Sequence, residues 1–209
     1  MIRFLSRLIL IIGIAYSSLP VANASTTILV VGDSLSSAYG MDQKQGWVFL
    51  LQQHMLQKKL DYKVVNASIS GDTTLNALNR LQAALDRHQP SIVILELGGN
   101  DGLRGLSLTE MKKNLSRLIV ICQKNNAQVL LTGIQILPNY GARYTEAFHN
   151  VYPELASQHK ITLVPSFLKS VGDNSSLMQE DGLHPNAKAQ SILLQNVLPY
   201  LQPLLEKKK

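Results

Sequence analysis

The alternation of short apolar runs with segments of helical spacing constrains this chain more than any other feature. Runs rich in β-branched and aliphatic residues occur at 26–31, 62–66, 91–97, 128–134 and 161–164. Between them, 47–60 carries apolar residues at 47, 48, 50, 51, 55 and 56, and 73–87 carries Leu75, Leu78, Leu81 and Leu85. Recurrence every three to four residues predicts amphipathic helices there. Helices are also expected at 109–123, with Thr109 in the N-cap position, at 144–159 and at 187–201. A run such as Ile92-Val93-Ile94-Leu95 is apolar on both sides of a strand, so both faces of the sheet need covering. Five β-α units of this kind predict a three-layer α/β fold built on a parallel sheet. No internal repeat or long linker divides the chain, which is read as one domain.

The first 24 residues are set apart from that domain. Arg3 and Arg7 make a basic start, the stretch from Leu8 to Tyr16 is apolar apart from Gly13, and Ala22-Asn23-Ala24 offers a small-residue cleavage site. These are the marks of a signal peptide, 1–24, leaving a domain at 25–209 that is exported to the periplasm or secreted. The apolar run is shorter than the roughly 20 residues needed to span a bilayer, so no stable membrane span is expected. The chain of 209 residues is 45% hydrophobic and 16% charged, which excludes disorder, collagen and coiled coil. Its single cysteine, Cys122, lies in an apolar helical run and reads as a buried small hydrophobe. The formal charge of +6 is dispersed, with two charges in the signal segment and one cluster at the 207–209 tail. Nucleic acid is therefore not expected as a partner, and the chain is expected to be a monomer.

In an open parallel sheet ligands bind beyond the carboxyl ends of the strands. Polar, glycine-containing segments stand at four such places: Gly32-Asp33-Ser34-Leu35-Ser36, Ala67-Ser68-Ile69-Ser70-Gly71-Asp72, Gly98-Gly99-Asn100-Asp101 and Asp181-Gly182-Leu183-His184-Pro185. Their residue types are those of acyl transfer. A serine hydroxyl is a weak nucleophile until an imidazole takes its proton, and the imidazole needs a carboxylate to fix its tautomer. Ser34, His184 and Asp181 supply the three. The developing oxyanion needs preorganised donors, for which the backbone N–H groups of Ser34 and Gly71 and the side-chain amide of Asn100 are the candidates. Asp33, Asp72 and Asp101 are read as groups that fix these loops. His54, His88, His149 and His159 are read as solvated or capping. No H-E-x-x-H, C-x-x-C pair, P-loop or G-x-S-x-G elbow occurs, and neither metal nor other cofactor is expected.

On these four blocks the chain resembles the SGNH (GDSL) hydrolases across essentially the whole of 25–209. The longer stretches 66–73 and 96–105 are most similar to small exported bacterial members that act as thioesterases and lysophospholipases. The resemblance implies a flavodoxin-like α/β/α fold with five parallel strands in the order 2-1-3-4-5. It also implies hydrolysis of acyl thioesters, lysophospholipids and simple aryl or alkyl esters without a metal. Leu103, Leu106, Leu137 and Tyr140, in loops after the third and fourth strands, are expected to flank an acyl chain. The alternative on the same fold is O-deacetylation of carbohydrate or cell-wall sugars, which needs only a small notch. A non-catalytic domain using Asp33 as a phosphoacceptor is disfavoured by export.

Overall fold

The protein is seen in a computed structural model that describes residues 26–136 and 138–206. The signal segment 1–24 with its cleavage after Ala24, the tail 207–209 and Leu137 lie outside the described residues. Five strands, β1 (Thr26–Gly32), β2 (Tyr62–Asn66), β3 (Ile92–Glu96), β4 (Gln128–Thr132) and β5 (Thr162–Val164), pair in parallel in the order β2-β1-β3-β4-β5. The helices are α1 (Trp47–Gln57), α2 (Thr74–His88), α3 (Gly99–Leu103), α4 (Leu108–Lys124), α5 (Ala142–His159) and α6 (Gln190–Glu206).

The period of two along each strand divides the core. Leu29, Val31, Val93, Leu95, Val129 and Leu131 pack with buried residues of α2, α4 and α5. Ile28, Val30, Ile92, Ile94 and Leu130 point the other way, onto α1 and α6. This double burial explains the unbroken apolar runs of β1 and β3. The chain leaves β1 to form β2 on one side, then crosses to β3 on the other. The carboxyl ends of β1 and β3 therefore flank the switch point at which such sheets bind ligands. There Gly32 pairs with Glu96, and a Cβ on Gly32 would lie 2.8 Å from Glu96 Oε2 and 2.9 Å from the Ser36 side chain. Glycine stands there because a buried carboxyl fills its side-chain space.

Several boundaries depart from the expected ones, and three of the departures have a visible cause. Ser107, not Thr109, caps α4: its backbone is non-helical and its Oγ accepts from the Glu110 N–H at 3.4 Å. The Gly98-Gly99-Asn100-Asp101 segment is not an irregular loop, since Gly99 opens the single turn of α3. Helix α6 runs through Pro199 and Pro203 to Glu206. Both prolines are exposed, while Leu193, Val197, Leu201 and Leu205 keep one stripe buried; the missing donors fall on the solvent side, where water can satisfy the carbonyls.

Candidate active site

Ser34 sits in the tight turn that leaves β1. The Asp33 carbonyl accepts from the N–H groups of Ser36 and Ser37 at 3.3 and 3.0 Å, and Asp33 Oδ1 accepts from the Leu35 N–H at 3.1 Å. Behind this turn the Trp47 indole donates to Ser36 Oγ at 3.2 Å, and Ser36 donates to the buried Glu96 Oε2 at 2.7 Å. The Ser34 turn is thus pinned from the core side.

The second part comes from the segment ahead of α6. Asp181 Oδ1 accepts from the backbone N–H groups of Leu183 and His184 at 2.9 and 3.0 Å, forming an Asx turn around Gly182, whose φ is +67°. That turn puts Asp181 Oδ2 2.6 Å from His184 Nδ1, and His184 Nε2 lies 3.0 Å from Ser34 Oγ. The hydrogen bond to His184 is the main reason the Asp181 carboxyl is held down at about 2, so it remains charged and acceptor-only. Gln179 ties this segment to the β1 turn: its Nε2 donates to the Tyr39 carbonyl at 2.8 Å and the Pro185 carbonyl at 3.2 Å. The Tyr39 ring lies 4.5 Å from the imidazole, centroid to centroid.

The third part follows β3. Asn100 lies in α3, and its Nδ2 donates to Asp33 Oδ2 at 3.0 Å. The next residue, Asp101, accepts from the Thr74 N–H at 2.9 Å and from the Thr74 hydroxyl at 2.6 Å, anchoring α3 to the start of α2. Gly71, with φ +83°, occupies the turn after β2, and its carbonyl accepts from Arg104 at 2.9 Å. Asp72 holds the same turn through Arg80, which donates to its carboxylate at 2.7 Å and to the Ala67 carbonyl at 2.6 Å. Each of the three aspartates beside a proposed site residue thus holds its segment in place.

A cleft of about 780 Å³ brings Ser34, Asn100 and His184 together with apolar Leu35, Ile134 and Ile136. Leu103 lines it, at 37% exposed. Leu106 is 44% exposed and does not line it, and Tyr140 lines a separate shallow depression while its hydroxyl donates to the Leu103 carbonyl at 3.0 Å. Leu137 lies outside the described residues. His149, expected to be solvated or capping, instead sits inside α5 and lines the cleft with its Nδ1 buried and without a partner. Gln179 was not singled out, because a lone glutamine carries no signal in sequence of the two carbonyls it joins. Cys122 is buried and its thiol is pushed up to about 12 by burial, which leaves it inert. Among the described residues no group of three His, Cys, Asp or Glu side chains could hold a metal ion, and no helix is long and apolar enough to cross a membrane.

Residues 30–192 match the GDSL-like Lipase/Acylhydrolase family. The chain belongs to that family. Esterase TesA of Pseudomonas aeruginosa is 52% identical over 182 residues, covering 87% of this chain and 90% of that protein. Its similarity extends to the crystal structure of TesA, with a TM-score of 0.84 over 86% of this chain and 99% of that one. Thioesterase 1/protease 1/lysophospholipase L1 of Escherichia coli K12 is 43% identical over 184 residues, covering 88% and 87% of the two chains. The GDSL-like acylhydrolase described here is therefore a hydrolase with its family's parallel five-stranded sheet.

Proposed function

We propose that residues 25–209 form an exported serine hydrolase that cleaves acyl thioesters, lysophospholipids and simple alkyl or aryl esters through an acyl-enzyme on Ser34. The supporting observation is the unbroken hydrogen-bonded series Asp181, His184, Ser34 opening onto a cleft with apolar walls. Ser34 Oγ attacks the acyl carbon as its proton passes to His184 Nε2, while Asp181 holds the ring and stabilises the imidazolium. The carbonyl oxygen becomes an oxyanion facing the N–H groups of Ser34, Gly71 and Asn100. Collapse breaks the bond to the alkoxide or thiolate, which leaves with the His184 proton. Water then repeats the sequence on the acyl-enzyme, giving up a proton to His184 and releasing the carboxylic acid and free Ser34. Every proton is carried by His184, so the cycle needs no cofactor. The enzyme acts as a monomer without nucleic acid, and export rests on the signal-like segment 1–24.

The cleft is larger than an acetyl group requires. Each buried methylene contributes at most about 0.8 kcal/mol, close to fourfold, so kcat/KM should rise roughly ten- to a hundredfold over the first few carbons beyond acetyl and then level off. Measuring kcat/KM across oxygen-ester and thioester series tests this. A maximum at acetate that falls with every added carbon would instead support O-deacetylation.

A further inference from the structure

Asn100 carries an amide whose two ends are nearly equal in shape and opposite in polarity. If its nitrogen serves the oxyanion, something must keep the oxygen from taking that place. We propose that Asp33 is the positioning residue of this site: its carboxylate fixes the Asn100 side chain with the amide nitrogen presented to the reaction centre. The proposal rests on the reading of Asn100 as an oxyanion donor.

The geometry leaves the amide one choice. Asp33 Oδ1 is occupied by the Leu35 N–H at 3.1 Å, and Oδ2 receives Asn100 Nδ2 at 3.0 Å. An ionised carboxylate can only accept, so Asn100 cannot turn its carbonyl toward it. One N–H of the amide is consumed by Asp33 and the second is left for the oxyanion. The selection works only while Asp33 is charged, because a protonated carboxyl could donate to the amide oxygen instead.

Asp33 is 2% exposed, which favours the neutral acid. Burial pushes its carboxyl up to about 6, against the opposing pull of the Leu35 N–H, the Asn100 amide and the charge of His184. Asp101 adds a smaller push in the same direction as burial, and its own carboxylate is bonded to Thr74. The adjacent Glu96 is fully buried; burial and the charge of Asp33 raise its carboxyl well above the usual range. Glu96 Oε1 has no partner, and Oε2 accepts from Ser36. Tyr152, which also faces these carboxyls, is buried, raised by desolvation and donates to the Leu97 carbonyl. Of the two, the more deeply buried Glu96 is thus the one that favours the proton, and Asp33, which touches Asn100, the one that favours the charge.

The decisive variant is Asp33→Asn, which keeps the shape and removes one acceptor oxygen. The new amide can satisfy the Leu35 N–H only by turning its own NH2 group to Asn100, which must then offer its carbonyl. Kinetics on a short aryl ester should show kcat reduced by ~10- to 100-fold with KM within about threefold, while the melting temperature at pH 7 is not lowered. In an Asn100→Ala background, Asp33→Asn should cost no more than about twofold further, because the residue through which it acts is gone. Should Asp33→Asn fail to fold, Asp33→Ala enters the same cycle. A kcat within twofold of the parent, or losses that multiply in the double variant, would overturn the proposal. Full kcat in Asn100→Ala alone would remove the oxyanion reading itself, and with it the premise.

Discussion

Two carboxylates on either side of Ser34 are displaced in opposite directions, and the sign of each displacement sets a different response to pH. Asp181 is lowered from 3.8 to about 2 by its bond to His184, so its stabilising contribution is complete above the ordinary value and is lost only as pH falls through about 2. Acid loss of activity at pH 4 or above therefore belongs to other groups. Asp33 is raised from 3.8 to about 6 by burial, so the stability its neutral form provides is present below the ordinary value and lost as pH rises through about 6. Asp33→Asn should accordingly be more stable than the parent above pH 6, by on the order of 1–3 kcal/mol, with the difference shrinking toward zero below pH 4. Urea melts of both proteins across that range measure it; a difference that ignores pH would mean that Asp33 carries no buried charge. At this scale Ser34, Asn100, Asp181 and His184 could be singled out in the sequence because acyl transfer admits few side-chain types, and the structure gathers Ser34, Asn100 and His184 at one cleft with Asp181 bonded to the imidazole. Glu96 was not: its residue type at a strand end is the same whether exposed or buried, and only the packing of Gly32 and Ser36 against it reveals the difference.

Elements deliver these side chains through their ends, and the most constrained end is that of β3. Gly98 has φ +111°, and a Cβ there would collide with the Tyr152 hydroxyl. Gly98→Ala should therefore destabilise the fold by about 1–3 kcal/mol and displace α3, lowering kcat through Asn100. Chemical denaturation with ester kinetics tests this, and an alanine variant as stable and active as the parent would show that the turn can relax. The strand and helix types were legible from period alone, since two and 3.6 leave different apolar patterns in 26–31 and 73–87. The ends were less so. Thr109 and Ser107 are equally good caps by composition, and the Ser107 to Glu110 hydrogen bond decides between them. Pro199 and Pro203 argue locally against a helix that burial of Leu201 and Leu205 maintains.

In the whole molecule, a strand order of 2-1-3-4-5 places segments far apart in sequence around one point, with His184 from the end of the chain meeting Ser34 from its beginning. The site edge was legible because parallel sheets bind ligands at their carboxyl ends. The cleft walls were not, because they form where α5 faces the segment after β5, a long-range approach with no local pattern. This is why Leu103 was found while Ile134 and His149 were not, and why Leu106, equally apolar, does not line the cleft. The account stands on Ser34 as the group that becomes acylated. Exposure to an aryl fluorophosphonate followed by intact-protein and peptide mass spectrometry should give one adduct on the peptide holding Ser34, complete loss of esterase activity, and neither labelling nor turnover in Ser34→Ala, whose rate should fall by about 10⁴-fold or more. An adduct at another residue, or Ser34→Ala hydrolysing the ester at the parent rate, would contradict it.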